Sequence, residues 1–190
     1  MTFFRRSFLI LLFLAAISGA SAQGKLHASY KVAEKYLKAI HLHQWNDAVE
    51  LVETKSLDNL KKFQKAYLLK APTMEEEQEL LRLLNMGDIS DLDKLTAKDV
   101  FIRRGQAKTK RLIDADAHIA EMKKSLVMKT LGTVPENSDT VHVVIRKEFA
   151  AQGKAFSELA FVSVVKEGTV WKISLDAQEP KVFNIKDKQE

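Results

Sequence analysis

The period of the apolar pattern changes once along this chain, near Lys123, and that change limits the fold more than any single motif. Before it, apolar residues recur at helical steps. Leu26, Tyr30, Ala33, Leu37 and Ile40 share one side, with Lys31, Glu34, Lys35 and Lys38 opposite. Asn46 stands where it could cap a short second helix with Ala48, Leu51 and Val52 inward. Ser56 opens a third helix over residues 57–70, with Leu60, Phe63, Tyr67 and Leu68 on its inner face. Pro72 and Thr73 stop it. Thr73 with Glu76 then forms a capping box for a helix through Leu80, Leu81 and Leu84 that ends at Gly87. A second box, Thr96 with Asp99, starts a short helix through Val100 and Phe101 that stops near Gly105.

Beyond Lys123, segments 125–131, 140–149, 155–166 and 169–175 are rich in β-branched and aromatic residues. Turn signals separate them: residues 135–139, Gln152-Gly153 and Glu167-Gly168. Connections this short join antiparallel neighbours, so the four segments predict a meander. Val141, Val143 and Ile145 should share one face of their strand, with His142, Val144 and Arg146 on the other. Trp171, Ile173 and Leu175 make an apolar face on the last strand. Helices followed by antiparallel strands define an α+β fold, in which the helices cover one sheet face. A sheet that curls around the first helix would make a cone with an internal cavity.

The start of the chain predicts export. Arg5 and Arg6 precede an apolar stretch over residues 8–17, and Ala20 and Ala22 provide the small-residue exit that a signal peptidase cleaves. That stretch is well short of the ~20 residues that span a bilayer, which argues against a permanent anchor. Arg5-Arg6 partly resembles a twin-arginine signal, but the short start and apolar core fit the general secretory route better. The organisation expected is a signal peptide at 1–22, one domain at 23–176 and a charged tail at 177–190. The destination is the periplasm or the extracellular space.

Composition narrows the chemistry. The chain has no cysteine, which removes disulfides, thiol nucleophiles, thiolate metal sites and a lipid-modified cysteine tether. The formal net charge is +5, and Arg5 and Arg6 leave with the signal. Lys61-Lys62 and Arg103-Arg104 lie among acidic residues and read as ordinary solvated surface. A basic stripe interleaved with aromatics is absent, which argues against nucleic acid as a partner.

Three passages carry a resemblance. The first is residues 32–40 followed by 44–52, where Trp45 precedes a second helix whose start includes Asp47-Ala48. The others are residues 95–101 and the hairpins over 139–146 and 168–173. Together they resemble the nuclear transport factor 2-like superfamily of cystatin-like α+β cones, in its exported branch. The resemblance implies a curved sheet, a pocket between sheet and helices, and often a dimer. It implies no activity, because one fold hosts many functions.

Candidate chemistry is sparse. Asp114, Asp116 and His118 would point one way in a strand and could grip a divalent cation. Leu112, Ile119 and Met122 favour a helix instead, in which only Asp114 and His118 align. His41 and His43 stand near a helix end, where a cationic imidazole suits the dipole. The ligand-pocket candidates are His142, Arg146, Tyr36, Trp45 and Trp171. If the outer face of its strand lines the cavity, Arg146 could hold an anion and His142 act as an acid or base near neutral pH. If it faces water, both are polar positions of a half-exposed sheet. The aromatics serve equally well as core. No catalytic residue, metal or other cofactor is assigned.

The favoured reading is a non-enzymatic domain that binds a small apolar or anionic ligand, or a protein partner, through its cone and sheet. The alternative is an isomerase- or dehydratase-type enzyme, with His142 as general base and Arg146 polarising a carbonyl. A third is a homodimer formed through the exposed sheet face.

Overall fold

The computed structural model describes residues 27–70, 73–111 and 115–175. The expected signal peptide and charged tail lie outside these residues, as do Leu26, Pro72 and Asp114. Among the described residues, seven helices precede four strands. They are α1 (Tyr30–His41), α2 (Trp45–Val49), α3 (Thr54–Leu69), α4 (Met74–Leu83), α5 (Asp91–Lys94), α6 (Ala97–Lys110) and α7 (Ala115–Ser125). The strands are β1 (Val127–Pro135), β2 (Thr140–Ala151), β3 (Lys154–Glu167) and β4 (Val170–Ser174). The fold is α+β, with one antiparallel sheet in the order β1-β2-β3-β4 that does not close into a barrel.

Alternation along β2 decides what each sheet face meets. Val141, Val143 and Ile145 are buried and pack with Val162, Val164, Ile173 and the inner face of α1. Ala33, Tyr36 and Leu37 supply that face, at the i, i+3, i+4 spacing of an amphipathic helix. The turns behave as their residues require. Gln152 (φ 53°) and Gly153 (φ 72°) both take left-handed backbone, as a two-residue hairpin loop of mirror-image type demands. Glu121 of α7 accepts hydrogen bonds from both of their N–H groups, and Ser125 accepts from Ala150, so α7 is fastened to the end of β2. The outer edge of β4 is covered too. The Val52–Ile173 bridge and the Glu53 N–H to Ile173 carbonyl bond (3.0 Å) pair it with the segment after α2.

A second core lies among the helices. Leu68, Leu81, Leu84, Met86, Leu92 and Val100 form a buried cluster of their own, apart from the sheet. Of the two expected capping boxes, the one at Thr96 is complete and the one at Thr73 is half-formed. The Thr73 hydroxyl accepts from the Glu76 N–H, and Thr96 with Asp99 makes a reciprocal capping box.

Several local expectations are corrected. Residue 46 is inside α2 and Gln44 occupies the N-cap, because the helix begins with Trp45 already packed. Ser56 is buried within α3, where its hydroxyl donates to Glu53 and accepts from the Leu175 N–H. The helix after Thr73 ends at Leu83, before the left-handed Asn85, rather than at Gly87. The helix started by Thr96 runs straight through Gly105 to Lys110. Phe63 and Tyr67, expected inward, are 55% and 53% exposed. The inward position between them on α3 belongs to Gln64.

Candidate functional site

Phe63 and Tyr67 define the rim of a cleft between α3, α4 and α6. They are one helical turn apart on α3, and their rings stack with centroids 6.2 Å apart. Leu80 and Leu83 face them from α4, and Arg104, Ala107 and Lys108 from α6. The space between is about 270 Å³, floored by Leu84 of the helical core and by the buried Gln64. That is just below the ~300–1,000 Å³ of pockets for drug-sized ligands, and suits one chain or one small ring system.

The walls are held from outside the cleft. Arg103 donates to the carbonyls of Leu84 (3.0 Å) and Asn85 (2.8 Å), which ties α6 to the end of α4 and places a cation at that helix's negative pole. Lys65 pairs with Asp93 at 2.7 Å and Lys61 donates to the Leu95 carbonyl, which ties α3 to α5. The cleft is therefore a gap between three anchored helices.

Its electrostatics are one-sided. Arg104 and Lys108 of α6, with Arg111 just past its end, all line the space, whereas among the described residues no Asp or Glu does so. Arg104 is half-buried. Its Nη1 is cut off from solvent without a hydrogen-bond partner, and burial draws the guanidinium below its usual pKa. Lys108 is exposed by area, but crowding of its ammonium lowers its pKa, and the Arg104 charge adds to this. Neither is in an ion pair among the described residues. Arg111 alone approaches a carboxylate, Glu79 at 3.7 Å, which is also held by Arg82. Sequence reasoning missed this site because Arg103-Arg104 read as solvated surface. The available signal was the row Arg104, Lys108, Arg111 at helical spacing, which places the charges on one face.

The five residues anticipated from sequence fall into two separate groups. Tyr36 is buried in the sheet core, and the same burial pushes its phenol pKa well up. Trp45 and Trp171 pack against that core. Trp45 donates to the Thr109 hydroxyl (3.0 Å), and Trp171 stands edge-on to His27. His142 and Arg146 are on the opposite face of the sheet, away from α1. Arg146 is exposed there and His142 is half-exposed.

His142 bridges two partners, Ser163 Oγ through Nδ1 and Glu136 Oε2 through Nε2, both at 3.0 Å. The order Glu–His–Ser matches that of a hydrolytic triad. Two features separate it from one. Ser163 is only 7% exposed, so a substrate carbonyl cannot reach its oxygen. It also sits mid-strand, paired with His142 on one side and Ser174 on the other, which commits the nearby N–H groups to the ladder rather than to an oxyanion hole. The arrangement fastens the exposed sheet face.

His41 corrects the expectation of a cationic helix-end imidazole. Its Nε2 contacts Lys147 Nζ at 2.9 Å, and Lys147 donates onward to Glu158 at 2.8 Å. Burial, followed by the Lys147 charge, lowers the His41 pKa to about 4, so the ring is neutral. His43 is likewise lowered, by burial and by His118. Asp116 and His118 lie on α7, so the helical alternative holds. Among the described residues no group of three His, Asp or Glu side chains is placed to hold a metal ion. No described helix is long and apolar enough to cross a membrane.

No family model matches the chain, and no curated protein or solved structure is a significant match to it.

Proposed function

We propose that the chain is an exported, non-catalytic binding domain that takes a small, largely apolar ligand into the cleft between α3, α4 and α6. One observation carries this reading. The Phe63–Tyr67 pair is more than half exposed, although it stands directly over an apolar gap faced by Leu80 and Leu83. Two aromatic side chains left open to water are costly unless something covers them, and each would bury a large area against a ligand. Export rests on Arg5, Arg6, the apolar residues 8–17 and the Ala20–Ala22 exit. An opening helical pair on a four-stranded meander supports the nuclear transport factor 2-like reading. The ligand is nevertheless assigned to the helices, since Tyr36 and Val143 occupy the space between α1 and the sheet.

The test is native mass spectrometry of the mature protein purified from its own host, with uptake of Nile red measured on the same sample. The wild type should carry an added small-molecule mass or take up the dye, and Leu83→Trp, which fills the cleft, should do neither. A bare mass with no dye uptake by the wild type would contradict the proposal.

A second reading concerns the outer sheet face. Val134, Leu159 and Phe161 are exposed there at 60%, 55% and 69%, beside Lys129, Arg146 and Glu148. Apolar side chains next to charges of both signs suit a second copy of the same face, related by a two-fold axis. We propose that homodimers form there.

A further inference from the structure

We propose that the ligand of the interhelical cleft is a single-chain amphiphile with an anionic head group, held by Arg104 and Lys108 with its apolar body against Phe63, Tyr67, Leu80 and Leu83. The inference rests on the reading of the cleft as a ligand site, and adds the charge of the occupant.

A purely apolar ligand would leave the charges unexplained. Arg104 keeps its positive charge in any protein setting, so its buried Nη1 carries an unmet hydrogen bond and part of an unmet charge. Lys108 stands one turn away on the same helix. Like charges at that spacing repel, and among the described residues no carboxylate lines the cleft to separate them. Structural arginines inside proteins are ordinarily paired. Here a carboxylate or phosphate oxygen is the missing partner. In the cleft it would lie between the Arg104 guanidinium and the Lys108 ammonium and replace repulsion by attraction. Burial, and after it the Arg104 charge, lowers the basicity of Lys108, and an arriving anion would oppose both.

Size and polarity then narrow the body of the ligand. A space of about 270 Å³ accepts one aliphatic chain of moderate length, not the paired chains of a membrane lipid. The cations lie on α6, and the aromatic pair lies across the gap on α3. A ligand must therefore be charged at one end and apolar along the rest.

Isothermal titration at neutral pH with decanoate and with decanol tests this directly, using the full mature chain. Decanoate should bind at least tenfold more tightly than decanol, and added salt should weaken decanoate alone. Arg104→Met should abolish that preference. It should also raise the melting temperature of the ligand-free protein, since an unpaired buried cation is replaced by an apolar side chain of similar length. Lys108→Met provides an independent variant and should reduce the preference in the same direction. Equal binding of decanoate and decanol by the wild type would overturn the anionic assignment and leave the cleft as an apolar ligand site. Binding of neither would overturn the ligand-site reading itself. Sedimentation with phosphatidylglycerol vesicles and no affinity for decanoate would assign the cations to a membrane surface and refute the free-amphiphile inference.

Discussion

The indole of Trp45 lies so close against Gly105 that a methyl group on that glycine would overlap the ring. The indole N–H reaches on to Thr109, whose hydroxyl donates back to the Gly105 carbonyl (3.2 Å), so α2 and α6 lock at this point. Glycine is there to let the helices approach, which explains why α6 continues through it.

This contact fixes the sign of a substitution. At an ordinary mid-helix site Gly→Ala stabilises by about 1 kcal/mol. Gly105→Ala should instead destabilise, by about 1–3 kcal/mol, because the rigid indole must move. Urea unfolding of the two proteins decides it. A more stable alanine variant would mean that Trp45 is not seated as described.

Histidine burial makes stability depend on pH. His41 has a pKa of about 4 when folded, against an ordinary value near 6.5, so the unfolded chain binds the proton more readily. Stability associated with this group is therefore complete above pH 6.5 and falls as the pH drops toward 4. About 2 kcal/mol should be lost between pH 7 and pH 5, at an order-of-magnitude level. Equilibrium unfolding at both pH values, compared with His41→Gln, isolates this group from the carboxylates. The variant should show a clearly smaller difference.

The sheet face offers a test of association. Light scattering should show a concentration-dependent dimer, and Phe161→Glu should give a monomer at all concentrations, because like charges would meet across the two-fold axis. Phe161 is 69% exposed, so the substitution should leave thermal stability nearly unchanged. A wild type that stays monomeric removes the proposal.

Processing is equally direct to check. N-terminal sequencing of the protein recovered from its host should begin at Gln23, after the Ala20–Ala22 exit. A chain that starts at Met1 outside the cytoplasm would contradict cleavage there.

Strand order, turns and the two capping motifs were legible because each depends on local chemistry. Gly153 and Gly168 hold positive φ, Thr73 and Thr96 cap, and Val141, Val143 and Ile145 alternate. The site was not legible, for reasons that are all tertiary. Phe63 and Tyr67 have the right spacing for core, and only the placement of α4 and α6 leaves them facing a gap. Arg104 looked solvated because it stands beside Arg103 among charged residues, whereas in the fold it is half-buried on the wall of the cleft. Gly105 read as a helix stop, since nothing in the local sequence announces that Trp45 packs on it. His41 reversed its expected charge because burial in the fold, and after it the charge of Lys147 2.9 Å away, disfavours the cation, and both are set by elements remote in sequence.

The central claim is that a small molecule occupies the cleft between α3, α4 and α6. Side-chain and backbone NMR shift mapping during a decanoate titration tests it most directly. The largest changes should fall at Phe63, Tyr67, Leu80, Arg104 and Lys108, with little change at His142, Phe161 or Tyr36. Shifts confined to the outer sheet face, or to the core around Tyr36, would contradict it.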